Sequence, residues 1–216
     1  MSAIEKAKEN VLWGCKTMCS RGYVLATGGN ISSLVEGEEK YVITPSSCPY
    51  DTLTKKDLPI IDMEGEIIEG DLKPSVESSM HRLIYLNRPN VKSVIHMHSK
   101  FATAAASLEG VTEIPAFSFE ILGYFGGDSI PLVPFAAPGT MDLAEAVTES
   151  MGSKMGAIMA NHGAIGVGAT MEEAMTKCDI IERACEEYLV IRAVGKVRPV
   201  PADFIEEFKS YVAKRK

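Results

Sequence analysis

The sequence predicts an α/β protein on three observations. Helix-period apolar stripes stand at both ends of the chain, apolar runs of strand length lie between them, and one of those runs carries two histidines. At 216 residues and 46% hydrophobic composition the chain can bury a full core, and one domain over 1–216 is expected. No linker, low-complexity tract or solenoid-length repeat interrupts it.

The first helix is expected over 3–21, where Ile4, Ala7, Val11, Leu12, Cys15, Met18 and Cys19 form one stripe and Gly22 ends it. Thr27-Gly28-Gly29-Asn30-Ile31-Ser32 then sets glycines, an amide and two hydroxyls at the mouth of a strand beginning near Asn30. Such residues make either a tight turn or a nest of N–H groups aimed at an anion. They match neither the nucleotide P-loop nor the dinucleotide fingerprint. A second strand, 40–43, runs into the hydroxyl-rich Thr44-Pro45-Ser46-Ser47. Residues 51–57 read as a loop or short helical turn, and 58–61 with 66–68 as a hairpin across Met63-Glu64-Gly65.

In Lys73-Pro74-Ser75-Val76-Glu77, Pro74 and Ser75 are helix-start signals, and apolar spacing carries that helix to Asn87. Glu77 then falls in the first turn, with His81 one turn later on the same face. A carboxylate there either complements the helix dipole or faces a metal as ligand or general base. His81, inside the helix, reads as structural or as support for the site.

The stretch 91–99 reads as a buried strand in which His96 and His98 leave one face while Met97 leaves the other. Two imidazoles on a rigid strand suit a small borderline cation, zinc first. The same residues also fit a hydrogen-bonded core His96 and a His98 at the helix start at Ser99. A helix over 99–108, an extended crossover over 111–119 and a short edge strand over 130–134 follow, the last demoted by its prolines. Thr140 caps a helix through Ser150, with Glu145 and Glu149 on its wet side. Two apolar runs, 156–160 and 164–167, bracket Asn161-His162-Gly163, a turn that presents a third histidine and completes the usual catalytic-zinc count. A long helix, 171–194, and a final one, 202–214, complete the chain, and the aromatic residues Phe204, Phe208 and Tyr211 suit a tail that packs on the core or a neighbouring subunit.

The formal charge of -7 argues against a nucleic-acid partner and leaves room for a small anion in a local pocket. No stretch reaches the roughly twenty apolar residues that span a bilayer, and no signal-type N-terminus is visible, so a cytoplasmic location is expected. Five cysteines form no disulfide framework, and Cys15, Cys19, Cys178 and Cys185 at helical spacings read as small core residues.

With Thr27-Gly28-Gly29-Asn30, Thr44-Pro45-Ser46, Lys73-Pro74-Ser75-Val76-Glu77, His96-Met97-His98 and Asn161-His162-Gly163 in order, nearly the whole chain resembles the class II aldolase/adducin-head family. At this length it is nearest the branch that cleaves L-fuculose 1-phosphate. The resemblance implies a three-layer α/β/α fold with a mostly antiparallel central sheet, and a homotetramer with active sites at subunit interfaces. It implies one Zn²⁺ per subunit, or another divalent metal, on His96, His98 and His162. Glu77 and Tyr211 become the proton carriers, and Thr27, Gly29, Asn30, Thr44, Ser46 and Ser75 the phosphate-binding set. The C-terminal tail 201–216 is expected to close over the site.

The implied reaction is reversible aldol cleavage of a phosphorylated small sugar, a ketose 1-phosphate, to dihydroxyacetone phosphate and an aldehyde. A dehydratase, a decarboxylase or a pentulose-phosphate 4-epimerase would share the site, although Glu77 stands where the epimerases carry aspartate. A non-catalytic head without metal is the reading from another class. Val76 replaces a second serine of the pattern, removing one hydrogen bond to phosphate worth roughly 1.5–3 kcal/mol. Phe119 and Pro138 depart from the pattern at the aldehyde end and leave the metal untouched.

Overall fold

A computed structural model describes residues 1–125 and 128–214. Its strands are β1 (Asn30–Leu34), β2 (Lys40–Ile43), β3 (Ile60–Asp62), β4 (Ile67–Glu69), β5 (Ser93–Met97), β6 (Glu113–Pro115), β7 (Ser129–Val133), β8 (Gly156–Met159) and β9 (Gly163–Gly168). They form one sheet in the order β4-β3-β2-β1-β5-β9-β8-β7-β6. Only β7 and β8 pair in parallel; the other described ladders are antiparallel.

The helices are α1 (Ala3–Arg21), α2 (Ser78–Asn87), α3 (Lys100–Ala106), α4 (Phe119–Phe125), α5 (Met141–Met151), α6 (Met171–Val194) and α7 (Ala202–Ala213). Side-chain alternation along the strands splits the core into two layers. Ile31, Ile95 and Met97 pack with Val11, Met18, Ala102 and Cys178 of α1, α3 and α6. Val94 and Ile165 pack on the opposite side with Ile84 and Val147 of α2 and α5. The result is a mostly antiparallel sheet between helices, as expected.

Local chemistry explains the element ends. Gly22 takes a left-handed φ of 70° and closes α1, while the hydroxyls of Ser2, Thr140 and Thr170 accept backbone N–H groups at the starts of α1, α5 and α6. One α-helix begins later than its sequence signals suggest. Pro74 is held in a bridge to Pro45, so α2 starts at Ser78 and Glu77 precedes the first turn. The run 130–134 lies one place in from the edge: β6 covers β7, with Glu113 opposite Pro131, and becomes the edge itself. The short helix α4 answers to no sequence expectation. Cys15, Cys178 and Cys185 are buried as expected, but Cys19 is exposed because its position on α1 has turned to solvent. Among the described residues no helix is long and apolar enough to cross a membrane.

Candidate metal centre

The centre forms where β5, β1 and the β8–β9 hairpin meet. In the ladders, His96 stands opposite Asn30 of β1 and opposite Ile165 of β9. Its ring leaves the sheet face that carries Val94, toward α2, and is fully buried. His98 lies just past the end of β5, and its backbone N–H donates to the carbonyl of Tyr23. His162 is brought in by the hairpin, where Asn161 takes a positive φ of 57° and the His162 N–H donates to Met159. Gly163 makes this possible, since a Cβ there would lie 2.2 Å from the Met97 carbonyl oxygen.

The three rings converge. His96 is 4.7 Å centroid to centroid from both His98 and His162, and the latter two are 5.0 Å apart. One ligating atom from each lies within 4.8 Å of the others. The Nε2 atoms of His96 and His98 are 2.9 Å apart. His96 Nδ1–H donates to the Ala164 carbonyl at 2.9 Å, which turns the lone pair of its Nε2 toward the shared space.

Glu77 completes the group. Its Oε2 is 3.3 Å from His96 Nε2 and accepts from the Asn30 amide at 2.7 Å, while Oε1 is 3.4 Å from His162 Nε2. Oε1 is buried and has no hydrogen-bond partner among the described residues. Burial pushes this carboxyl up, but the imidazole of His96, the Asn30 amide and the imidazoles of His162 and His81 outweigh it. The group rests below the ordinary carboxylate range.

Burial drives His98 down to about 4, with His96 and His162 adding to the shift and Glu77 opposing it. His162 is lowered by burial and by His96, again against Glu77. Neutral imidazoles are the form that ligates a cation. Three imidazole nitrogens beside a buried carboxylate oxygen without a partner among the described residues fit a borderline divalent ion. The reading of His96 and His98 as merely structural does not account for that convergence.

The other expected site residues fall at three turns and in the tail. Thr27 is exposed on the loop before β1, and Gly29 takes a φ of 82° close against the His96 carbonyl. Asn30 is buried, with its amide oxygen engaged by His81 and an amide proton by Glu77. The turns carrying Thr44, Ser46 and Ser75 are stitched together: Ser46 N–H donates to Lys73, and Ser75 N–H donates to Thr44. Thr44 is buried and its hydroxyl accepts from Ile31 N–H, Ser46 is half-buried, and the Ser75 hydroxyl accepts from Glu77 N–H. Val76 is exposed beside Gly139. Tyr211 lies on α7 and is 52% exposed. On the same helix Phe204 meets exposed Phe119 edge-on, at 5.8 Å between ring centroids.

Glu182 and Asp179 were not anticipated. Glu182 of α6 accepts from the Ser99 hydroxyl and from the N–H groups of Phe101 and Ala102, fixing the segment that follows His98. Asp179, one turn earlier on α6, accepts from the Tyr23 hydroxyl, while the Tyr23 carbonyl holds the His98 N–H. The acidic residues of a helix that otherwise reads as amphipathic were the available signal.

Three convergent imidazoles and a buried carboxylate on this α/β/α frame define a metal-dependent lyase. Residues 9–189 match the class II aldolase and adducin N-terminal domain, and the chain belongs to that family. It is 33% identical over 203 residues to a 5-deoxy-D-ribulose 1-phosphate aldolase of Bacillus thuringiensis, covering 94% of this chain and 93% of the relative. It is 32% identical over 211 residues to an L-fuculose phosphate aldolase of Escherichia coli K12, covering 95% of each. A solved L-fuculose 1-phosphate aldolase superposes with a TM-score of 0.89 over 96% of each chain at 24% identity, a likeness of fold.

Proposed function

We propose that the protein catalyses reversible aldol cleavage of a ketose 1-phosphate, of the L-fuculose 1-phosphate or 5-deoxyribulose 1-phosphate type, to dihydroxyacetone phosphate and an aldehyde. The observation that carries this reading is the approach of Glu77 to both His96 and His162. It puts a proton-moving group against the point where three imidazoles meet. The names of the relatives, aldolases of deoxy-ketose phosphates, support the substrate class.

His96, His98 and His162 would hold the ion, one per subunit, and Zn²⁺ is the choice that suits three imidazoles. When bound, it supplies Lewis-acid polarisation of the substrate carbonyl. The remaining work belongs to the chain. In the direction of synthesis, the Glu77 carboxylate takes a proton from the carbon of dihydroxyacetone phosphate next to its carbonyl. That carbon bonds to the aldehyde carbon, and Tyr211 gives its phenolic proton to the aldehyde oxygen. Cleavage runs the same transfers backwards. The joined turns of Thr44, Ser46 and Ser75, with Thr27, Gly29 and Asn30, hold the phosphate. The Asn30 side chain and the Thr44 and Ser75 hydroxyls already have partners inside the protein, so the anion draws on the backbone of these turns and on the α2 start.

The same reading takes the whole chain as one domain, with the tail 201–216, of which residues 215 and 216 lie outside those described, closing over a site at a subunit interface of a homotetramer in the cytoplasm. Exposure of Tyr211 suits such a role. The test is a product panel from L-fuculose 1-phosphate, 5-deoxyribulose 1-phosphate and L-ribulose 1-phosphate, with and without a chelator. Aldehyde plus dihydroxyacetone phosphate, abolished by the chelator and restored by zinc, is the expected result. Loss of water, release of carbon dioxide or epimerisation in place of cleavage would overturn it.

A further inference from the structure

Behind Glu77 runs a buried file of polar side chains that the reaction as described does not use. Asn30 and Ser32 are two apart on β1 and share a face; His81 and Tyr85 are four apart on α2 and meet that face. Tyr85 Oη is 2.6 Å from Ser32 Oγ, which is 2.6 Å from His81 Nδ1. His81 Nε2 is 2.5 Å from Asn30 Oδ1, and Asn30 Nδ2 is 2.7 Å from Glu77 Oε2. Ser32 and His81 have no exposed surface, and Asn30 and Tyr85 have 3% and 6%. A buried network of this kind is stable only when each donor finds an acceptor.

That requirement fixes the direction of every hydrogen. A carboxylate only accepts, so Asn30 must turn its amide nitrogen to Glu77 and its oxygen to His81. His81 therefore carries its proton on Nε2. A neutral ring then accepts at Nδ1, which makes Ser32 the donor to His81 and Tyr85 the donor to Ser32. Full burial keeps His81 neutral, driving it down to about 3, with His96 adding to the shift and Glu77 opposing it.

We infer that His81 is a positioning residue whose Nε2–H, acting through Asn30, pins Glu77 Oε2 so that Oε1 alone is left to exchange protons with substrate. Oε1 is the oxygen without a partner, as this assignment requires. The inference deepens the proposed reaction and rests on it for what Oε1 does, but the direction of the file does not depend on any substrate.

Two measurements test it. Nitrogen-detected NMR of the zinc-loaded wild-type protein at neutral pH should show His81 as the neutral Nε2–H tautomer; a proton on Nδ1 would reverse the file and overturn the inference. The second is exchange of the carbon-bound protons of dihydroxyacetone phosphate in D₂O, with zinc content measured alongside. In His81→Leu the exchange rate and kcat should fall about 10- to 100-fold, with KM and zinc content held. His81→Gln, which can still donate to Asn30, should recover to within about 3-fold of wild type. Exchange in the leucine variant equal to wild type would overturn the positioning role, as would an equal loss in the glutamine variant. If wild type exchanged no protons at all, the proposed reaction would fall, while the tautomer would still decide the direction of the file.

Discussion

Gly28 is the position where one added carbon should cost the protein its metal. A Cβ there would stand 2.5 Å from His98 Nδ1 and 3.1 Å from both His98 Cε1 and the Leu25 carbonyl oxygen. Ordinary contact begins at 3.4 Å, so the ring has to retreat by about 0.9 Å. The ring cannot swing aside freely, because its Nε2 is 2.9 Å from His96 Nε2 and its edge packs on His96 and His162. Gly28→Ala should therefore destabilise the fold by about 1–3 kcal/mol, the usual cost of overpacking. Displacing a ligand by most of an ångström should also weaken zinc binding at least 10- to 100-fold. Competition with a chromophoric chelator measures the affinity, and urea unfolding the stability. Gly123→Ala is the control, because nothing lies within 4 Å of a Cβ at Gly123, and zinc affinity there should stay at the wild-type value. A Gly28→Ala protein that bound zinc as tightly as the control would refute the packing argument.

Other expectations follow from the same geometry. Glu77→Gln should lower kcat by about 10²- to 10⁴-fold while zinc content, read by atomic emission, stays near wild type. Glu182→Ala leaves the Ser99 hydroxyl and the Phe101 and Ala102 N–H groups without their acceptor, and should cost about 3 kcal/mol in urea unfolding. Acid should weaken the fold through His81, whose value falls from 6.5 to about 3 on folding. The unfolded chain binds the extra proton between those limits, so stability is full above 6.5 and is lost as pH falls toward 3. The loss is about 2 kcal/mol by pH 5, and a His81→Gln protein should show a correspondingly flatter profile in calorimetry.

The histidine cluster was legible because its members follow short-range rules. Period-two geometry puts His96 and His98 on one face, and a glycine after His162 signals a hairpin turn. The sheet's long helices and most of its strands were legible for the same reason. What escaped was set by contacts distant in sequence. Nothing within 111–119 says that β6 will cover the proline-bearing β7, and seven residues were too few for helical periodicity to announce α4. The start of α2 was misplaced because the bridge from Pro74 to Pro45 joins segments far apart in the chain. Asn30 is the instructive case at the site. Its place in a glycine-rich turn suggests an anion, and only the cross-strand register with His96 and the approach of α2 reveal that its amide serves Glu77 and His81.

The central claim is that three imidazoles, from β5, from the residue just past its end and from the β8–β9 hairpin, close on one divalent ion. X-ray absorption at the zinc edge, on protein loaded with one equivalent, tests it most directly. The account predicts a first shell containing three imidazole nitrogens at about 2.0–2.1 Å, with one of them missing in His162→Ala. A shell built from cysteine sulfur, or one that is unchanged in His162→Ala, would contradict it.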